Sequence, residues 1–211
     1  MSPTSAISRL RHYHRQHGLR ATLHRLKVAL ERAASTGQMV LYACELPVTA
    51  PPAALGILER IRNYAALNGA DRARITTHWN PAAMEKLMDE RFAASAELWL
   101  LREGQAVAVC GWTLKAKTIE PHFFPIALGD VHLFDFFVFP EFRGRQLNPS
   151  LVWQILDQVG REGSQRALIE AGAWNRAQLA SLAKTPFKSI GVARKLHLGK
   201  STFIWWSKRP Q

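Results

Sequence analysis

The stretch from His132 to Ala171 does most to limit what this chain can fold into. His132–Phe139 is an apolar run closed by Pro140, and it reads as a strand. Glu141–Leu147 is a basic turn, after which Asn148-Pro149 has the cap-plus-proline form that opens a helix, predicted to run to about Arg161. Arg166–Ala171 is apolar again and reads as a second strand. Strand, turn, helix and strand in that order make a β-α-β unit, whose two strands lie parallel with the helix packed on the sheet. All-helical and all-antiparallel folds are thereby excluded.

The flanking segments read as antiparallel. Glu97–Leu101 and Val107–Leu114 form a hairpin through Glu103-Gly104, preceded by a helix from Asn80-Pro81 to about Phe92 with Met84, Leu87, Met88 and Phe92 on one face. Gln38–Leu46 reads as a strand broken by the linker Pro47–Pro52, and Ile57–Arg62 is open between strand and helix. Downstream, Asn175–Lys184 reads as a short helix, and Val192–Leu198 with Ser201–Trp206 as a closing hairpin through Gly199. A parallel unit between hairpins gives a mixed α/β (α+β) class, with no internal repeat.

Charge divides the chain. Residues 1–32 hold seven basic residues (Arg9, Arg11, Arg15, Arg20, Arg25, Lys27, Arg32) against Glu31, which is six of the net +12 charges. Leu19, Leu23, Leu26 and Leu30 recur there at helical spacing. The expected organisation is a basic amphipathic helix over 1–36 and one domain over 37–211. No run reaches the roughly 18 apolar residues of a membrane span, and no signal core is visible, so a soluble, cytoplasmic protein is expected. Cys44 and Cys110 lie in apolar stretches without zinc-ligand spacing, which predicts buried thiols and no metal site. The positive balance favours an acidic partner: nucleic acid, an anionic membrane surface or a polyanionic cofactor.

The turn Glu141–Asn148 narrows that choice. A loop entering a helix presents free N–H groups and the positive end of the helix dipole, and Arg143 and Arg145 add charge, a setting suited to a pyrophosphate. Val138-Phe139-Pro140-Glu141-Phe142-Arg143-Gly144-Arg145 resembles the strand-to-turn signature of the GNAT superfamily, in which Val-x-Pro-Glu-x-Arg-Gly leads into the coenzyme A loop. Within that family's loop motif, Arg/Gln-x-x-Gly-x-Gly/Ala, Arg143 matches, while Gln146 and Asn148 stand where the family prefers small residues. Trp174-Asn175 and Phe187 resemble its downstream Asn-x₁₀-Gly-Phe pattern, with Pro186 in place of the Gly.

The resemblance covers about residues 75–206. It implies a mostly antiparallel mixed sheet with a central splayed parallel pair and helices on both faces. The activity it implies is N-acetyltransfer from acetyl-CoA to a primary amine by direct attack, with Val138, Phe139, Arg143, Gly144, Arg145, Gln146, Leu147, Asn148 and Asn175 holding the cofactor. Val138 would place its N–H beside the thioester carbonyl.

Direct transfer needs groups that take and return a proton. Many relatives carry Glu where this chain has His132, and an imidazole titrates near neutrality, so His132 is the candidate base; a structural, hydrogen-bonded histidine is the competing reading. Strand alternation predicts His132, Phe134, Phe136 and Val138 on one face, with Asp135 and Phe137 on the other. Asp135 would bind a cationic amine or pair with a basic residue, and Glu170 is a second candidate base. The family's Tyr acid falls at Leu182, which leaves Ser181 or water to reprotonate the thiolate. The substitutions at Gln146, Asn148 and Leu182 keep open a catalytically silent acyl-CoA-binding module. The basic first helix keeps open a nucleic-acid-binding protein, although no helix-turn-helix, RNP or zinc pattern accompanies it. The acceptor stays open among a small amine, an amino sugar and a protein N-terminus. The aromatic loop Lys115–Gly129 (Pro121, Phe123, Phe124, Pro125) would be its wall or lid, and Trp205 and Trp206 offer a homodimer contact or core packing.

Overall fold

The parallel pair required by the sequence forms the middle of an eight-stranded sheet in a computed structural model that describes residues 37–48, 53–77, 81–119, 122–198 and 201–208, with positions 18, 19, 22, 23 and 27. The basic N-terminal helix lies almost wholly outside the described residues, as do most of the linker Pro47–Pro52, the Asn80 cap, Pro121 and Gly199.

The strands are β1 (Gln38–Glu45), β2 (Ile57–Ile61), β3 (Glu97–Glu103), β4 (Ala106–Lys115), β5 (Asp130–Val138), β6 (Arg166–Gly172), β7 (Lys188–Leu198) and β8 (Ser201–Lys208), in the order β2-β3-β4-β5-β6-β1-β7-β8. Among the described residues only β5 and β6 pair in parallel. The N-terminal strand is not at an edge: β1 lies between β6 and β7, antiparallel to both. The open segment at Ile57 resolves as an edge strand against β3.

Helices cover both faces. The helix α3 (Leu147–Arg161) buries Leu147, Leu151, Val152, Ile155, Leu156 and Val159, an i, i+4, i+8 stripe, against Trp99, Val131, Leu133, Ala167 and Ile169. Each aliphatic side chain fully buried in this way contributes about 1.5–3 kcal/mol. On the other face α1 (Gly69–Thr77) and α2 (Pro81–Ala93) supply Ile75 and Met88 to a core with Leu98, Leu100, Cys110, Trp112 and Leu114. The periodicity did not announce α1; the Asn68 side chain caps it, accepting from the Asp71 N–H at 2.9 Å. The last helix, α4 (Arg176–Leu182), is capped by Asn175, whose Oδ1 accepts from the Gln178 N–H at 3.1 Å.

The Trp205 and Trp206 side chains part company on β8. Trp206 packs against Phe123 and Phe124, whereas Trp205 is 54% exposed beside Phe203 on this edge strand. Among the described residues no helix is long and apolar enough to cross a membrane.

Candidate active site and cofactor cleft

The site begins where β5 and β6 separate. Asp130–Leu133 pairs with Arg166–Ile169, and at the closed end Arg166 forms a bidentate bridge to Asp130 at 2.9 and 2.7 Å. Beyond Leu133 the two strands no longer pair. The cause is a β-bulge: Trp112 pairs with Phe134 and Cys110 with Phe137, so Asp135 and Phe136 together face Gly111, and Asp135 takes φ 49°. Gly111 is required here, because a Cβ would stand 2.6 Å from the Phe136 ring.

The bulge corrects the alternation expected for this strand. His132 and Phe134 share one face, while Phe136 and Val138 have turned to the other and pack with the α3 core. Six strand residues span about 20 Å, so His132 and Val138 cannot both flank a single thioester. Phe136, four residues from His132, stands at the bend between them. Asp135 forms the ion pair anticipated for it, with Arg91, whose guanidinium lies over Trp112 and Phe134.

On the α3 face the splay opens into a cleft of about 610 Å³. Its lining includes Val138, Arg143, Gly144, Arg145, Gln146, Leu147, Asn148 and Asn175, eight of the nine expected cofactor residues. Phe139 is the exception: its ring is buried in the opposite core and its N–H donates to the Ala108 carbonyl at 3.0 Å. That bond points toward β4, so strand alternation turns the Val138 N–H to the cleft side. Gln178, Ser181 and Lys184 of the α4 region also line the cleft. Ser181 was a candidate from the sequence; Gln178 and Lys184 went unnoticed there because only the fold brings α4 beside the turn.

The turn itself adopts the backbone that glycine would supply. Gly144 has φ 82°, and Gln146, standing at the family's Gly position, has φ 59° and ψ 20°. Gln146 caps α3 without a side-chain hydrogen bond, which leaves the first-turn N–H groups of Leu147 and Asn148 directed outward beside the cleft. Asn148 was expected as the cap; it lies instead inside the first turn, buried, with Nδ2 donating to Ser181 Oγ at 2.8 Å. Arg145 is tied to Glu103, while the exposed Arg143 makes a 3.3 Å bond from Nε to the Val138 carbonyl. A helix N-terminus, two left-handed residues and an available guanidinium fit a pyrophosphate.

On the other face His132 Nε2 lies 2.7 Å from Glu170 Oε2, and His122 Nδ1 approaches the same oxygen at 3.9 Å. Burial pushes the His122 imidazole down to about 4. For Glu170, burial acts to raise the carboxyl, but the His132 hydrogen bond and the charges of His132, His122 and Lys195 outweigh it and hold the group below the usual carboxylate range. The ligand-type atoms of His122, His132 and Glu170 all lie within 4.8 Å of one another, a grouping of donors that the sequence did not signal. Histidine and carboxylate suit a divalent ion, but here His132 and Glu170 satisfy each other by direct hydrogen bonding. His122 had escaped sequence reasoning, since nothing local marks a loop histidine that folds back over β5. An open hollow of about 730 Å³ borders this loop, lined by Lys117, Ile119, His122, Phe124 and Ile204 among others.

Leu182, at the family's Tyr position, is fully buried in the α3 core, whereas Ser181 faces the cleft. The two cysteines are free and buried, and burial raises Cys44 to about 11 and Cys110 to about 12, which disfavours the thiolate at neutral pH.

No protein-family profile matches the sequence, and no curated protein does. Solved structures do resemble the fold. An acetyltransferase from the GNAT family of Colwellia psychrerythraea superposes with a TM-score of 0.54 at 10% identity over 72% of this chain and 53% of its own. A GCN5-related N-acetyltransferase from Sphaerobacter thermophilus gives 0.48 at 13% identity over 78% and 53%, and a functionally unknown conserved protein from Staphylococcus epidermidis gives 0.47 at 12% over 74% and 59%. This chain thus spans little more than half the length of those structures. The fold is GNAT-like, with its splayed parallel pair and two covered faces.

Proposed function

We propose that this chain is an acetyl-CoA-dependent N-acetyltransferase that passes the acetyl group to a primary amine by direct attack. The observation that carries this reading is the left-handed turn Gly144–Gln146 at the start of α3, opening onto a cleft that continues into the splay of β5 and β6. Arg143 and the N–H groups of Leu147 and Asn148 would hold the pyrophosphate; Val138, Asn175 and Phe136 would line the path of the pantetheine arm, with the thioester beside the bulge.

In the reaction the amine nitrogen attacks the thioester carbon, a C–N bond forms and the C–S bond breaks. The amine loses one proton and the departing thiolate gains one. His132 takes the first. Ser181, whose Oγ already accepts from Asn148 and so turns its own proton to the cleft, relays the second, taking a proton from solvent as it passes its own to the thiolate. The acceptor, whether small amine, amino sugar or protein N-terminus, approaches from the aromatic-loop face.

One observation favours a second reading, a silent acyl-CoA-binding module: Leu182 is buried where an acid would stand. Nucleic-acid binding has less support, because Arg60, Arg74, Arg91, Arg102, Arg145 and Arg166 are engaged by carboxylates. Incubation with acetyl-CoA and a panel of amines, read by mass spectrometry for acetylated product and by release of free thiol, tests the proposal. Binding without product selects the silent module.

A further inference from the structure

We infer that Glu170 is a positioning residue that holds the His132 imidazole with its proton on Nε2, so that Nδ1 is the atom that takes the proton from the acceptor. The inference rests on the acetyl-transfer reading above and assigns roles within it.

Two observations converge. The contact between His132 Nε2 and Glu170 Oε2 is 2.7 Å, and an ionised carboxylate only accepts, so Nε2 carries the hydrogen. In a neutral imidazole the lone pair then resides on Nδ1. That atom is enclosed, with no hydrogen-bond partner among the described residues. A histidine kept only to tie two strands together would be expected to have both ring nitrogens satisfied, since buried polar atoms are rarely left unpaired. A carboxylate bonded on the far side of the ring leaves the Nδ1 lone pair as the free one, which is how a carboxylate fixes the tautomer of a base.

The surroundings keep the pair in that state. The His132 ring stacks on Phe134 at 5.3 Å with 14° between planes and meets His122 edge-on at 5.2 Å, which restricts its rotation. The groups facing the pair from packed elements are His122 of the loop, Lys195 of β7 and Asp130 at the start of β5. Of these, His122 is held neutral by burial, and Lys195 helps keep Glu170 ionised. Register supplies the geometry: His132 pairs with Leu168, which places Glu170 on the same face and one diagonal step along β6.

The tautomer can be read without catalysis. In protein labelled with ¹⁵N-histidine at mildly alkaline pH, two-bond ¹H–¹⁵N correlation of the His132 ring, assigned by its loss in His132→Gln, is expected to show a protonated Nε2 and a bare Nδ1. In Glu170→Gln the carboxamide can donate to Nε2 and drive the proton to Nδ1, so kcat is expected to fall by about 10²-fold while KM for acetyl-CoA stays unchanged. A proton on Nδ1 in the active wild-type enzyme, or a wild-type kcat in folded Glu170→Gln, overturns the inference. A wild-type protein that binds acetyl-CoA but transfers nothing overturns instead the reading on which it rests.

Discussion

His132 and Glu170 meet at 2.7 Å across the last paired stretch of β5 and β6, on the face opposite the cleft that Arg143 and Ser181 line. The contact joins the two strands at the point where they begin to part. It therefore fixes a titratable pair beside the gap through which a cofactor on one face could meet an acceptor on the other.

If His132 is the base, His132→Ala is expected to lower single-turnover acetyl transfer by about 10²-fold while leaving acetyl-CoA affinity intact, and His132→Gln to be nearly as slow. Thermal denaturation on the same preparations separates this from a structural role. A purely structural histidine would cost stability in both variants and leave the rate per folded molecule unchanged.

Gln146 occupies a left-handed conformation, which costs a non-glycine residue roughly 1–2 kcal/mol, offset in part by the greater chain entropy of glycine when unfolded. Gln146→Gly is expected to raise stability in urea by a few tenths to about 1 kcal/mol. Gln146→Val, β-branched at positive φ, is expected to lower it by about 1–2 kcal/mol and to loosen the turn. Equal stability of the two variants would mean that the turn is not held in this conformation.

Arg143 and Arg145 are expected to behave differently, although two residues apart. Arg145 is already neutralised by Glu103, so Arg145→Ala should change acetyl-CoA affinity little. Arg143→Ala should weaken it by about 1–3 kcal/mol through loss of a charge-assisted phosphate contact. Isothermal titration of both variants decides the point; equal losses would place the phosphates elsewhere.

The unit from β5 to β6 was legible because its signals are local: Pro140 ends one element and Pro149 opens the next. The cleft-lining turn was legible for the same reason, down to the departures at Gln146 and Asn148. Strand order was not. Nothing in Gln38–Glu45 says that it inserts between β6 and β7, since partners far apart in sequence are chosen by the assembled sheet. The bulge was also hidden, although Asp135, the lone acid in an aromatic run, is a residue type that tolerates positive φ. Missing it put His132 and Val138 on one face and overlooked the turn of Phe136 into the cleft.

Acid stability should depend on Glu162, which accepts from Arg60, Gln158 and Lys115. Burial acts to raise this carboxyl, but those hydrogen bonds and the Arg60 charge prevail and lower it to about 2. A group whose folded pKa is depressed stabilises the fold above its unfolded pKa, and that stability is lost as pH falls toward the folded one. Stability of the wild type is therefore expected to decline between the ordinary glutamate range and about pH 2. Glu162→Gln should start lower at neutral pH and lose less across this window; parallel curves for the two proteins would remove Glu162 from the account.

If the splayed cleft holds acetyl-CoA, thermal denaturation with and without the cofactor reports it. A ligand bound only by the folded protein raises the midpoint by mass action, so a shift is expected that grows with acetyl-CoA concentration, is reproduced by free coenzyme A and shrinks in Arg143→Ala. An unchanged midpoint at millimolar acetyl-CoA would contradict it.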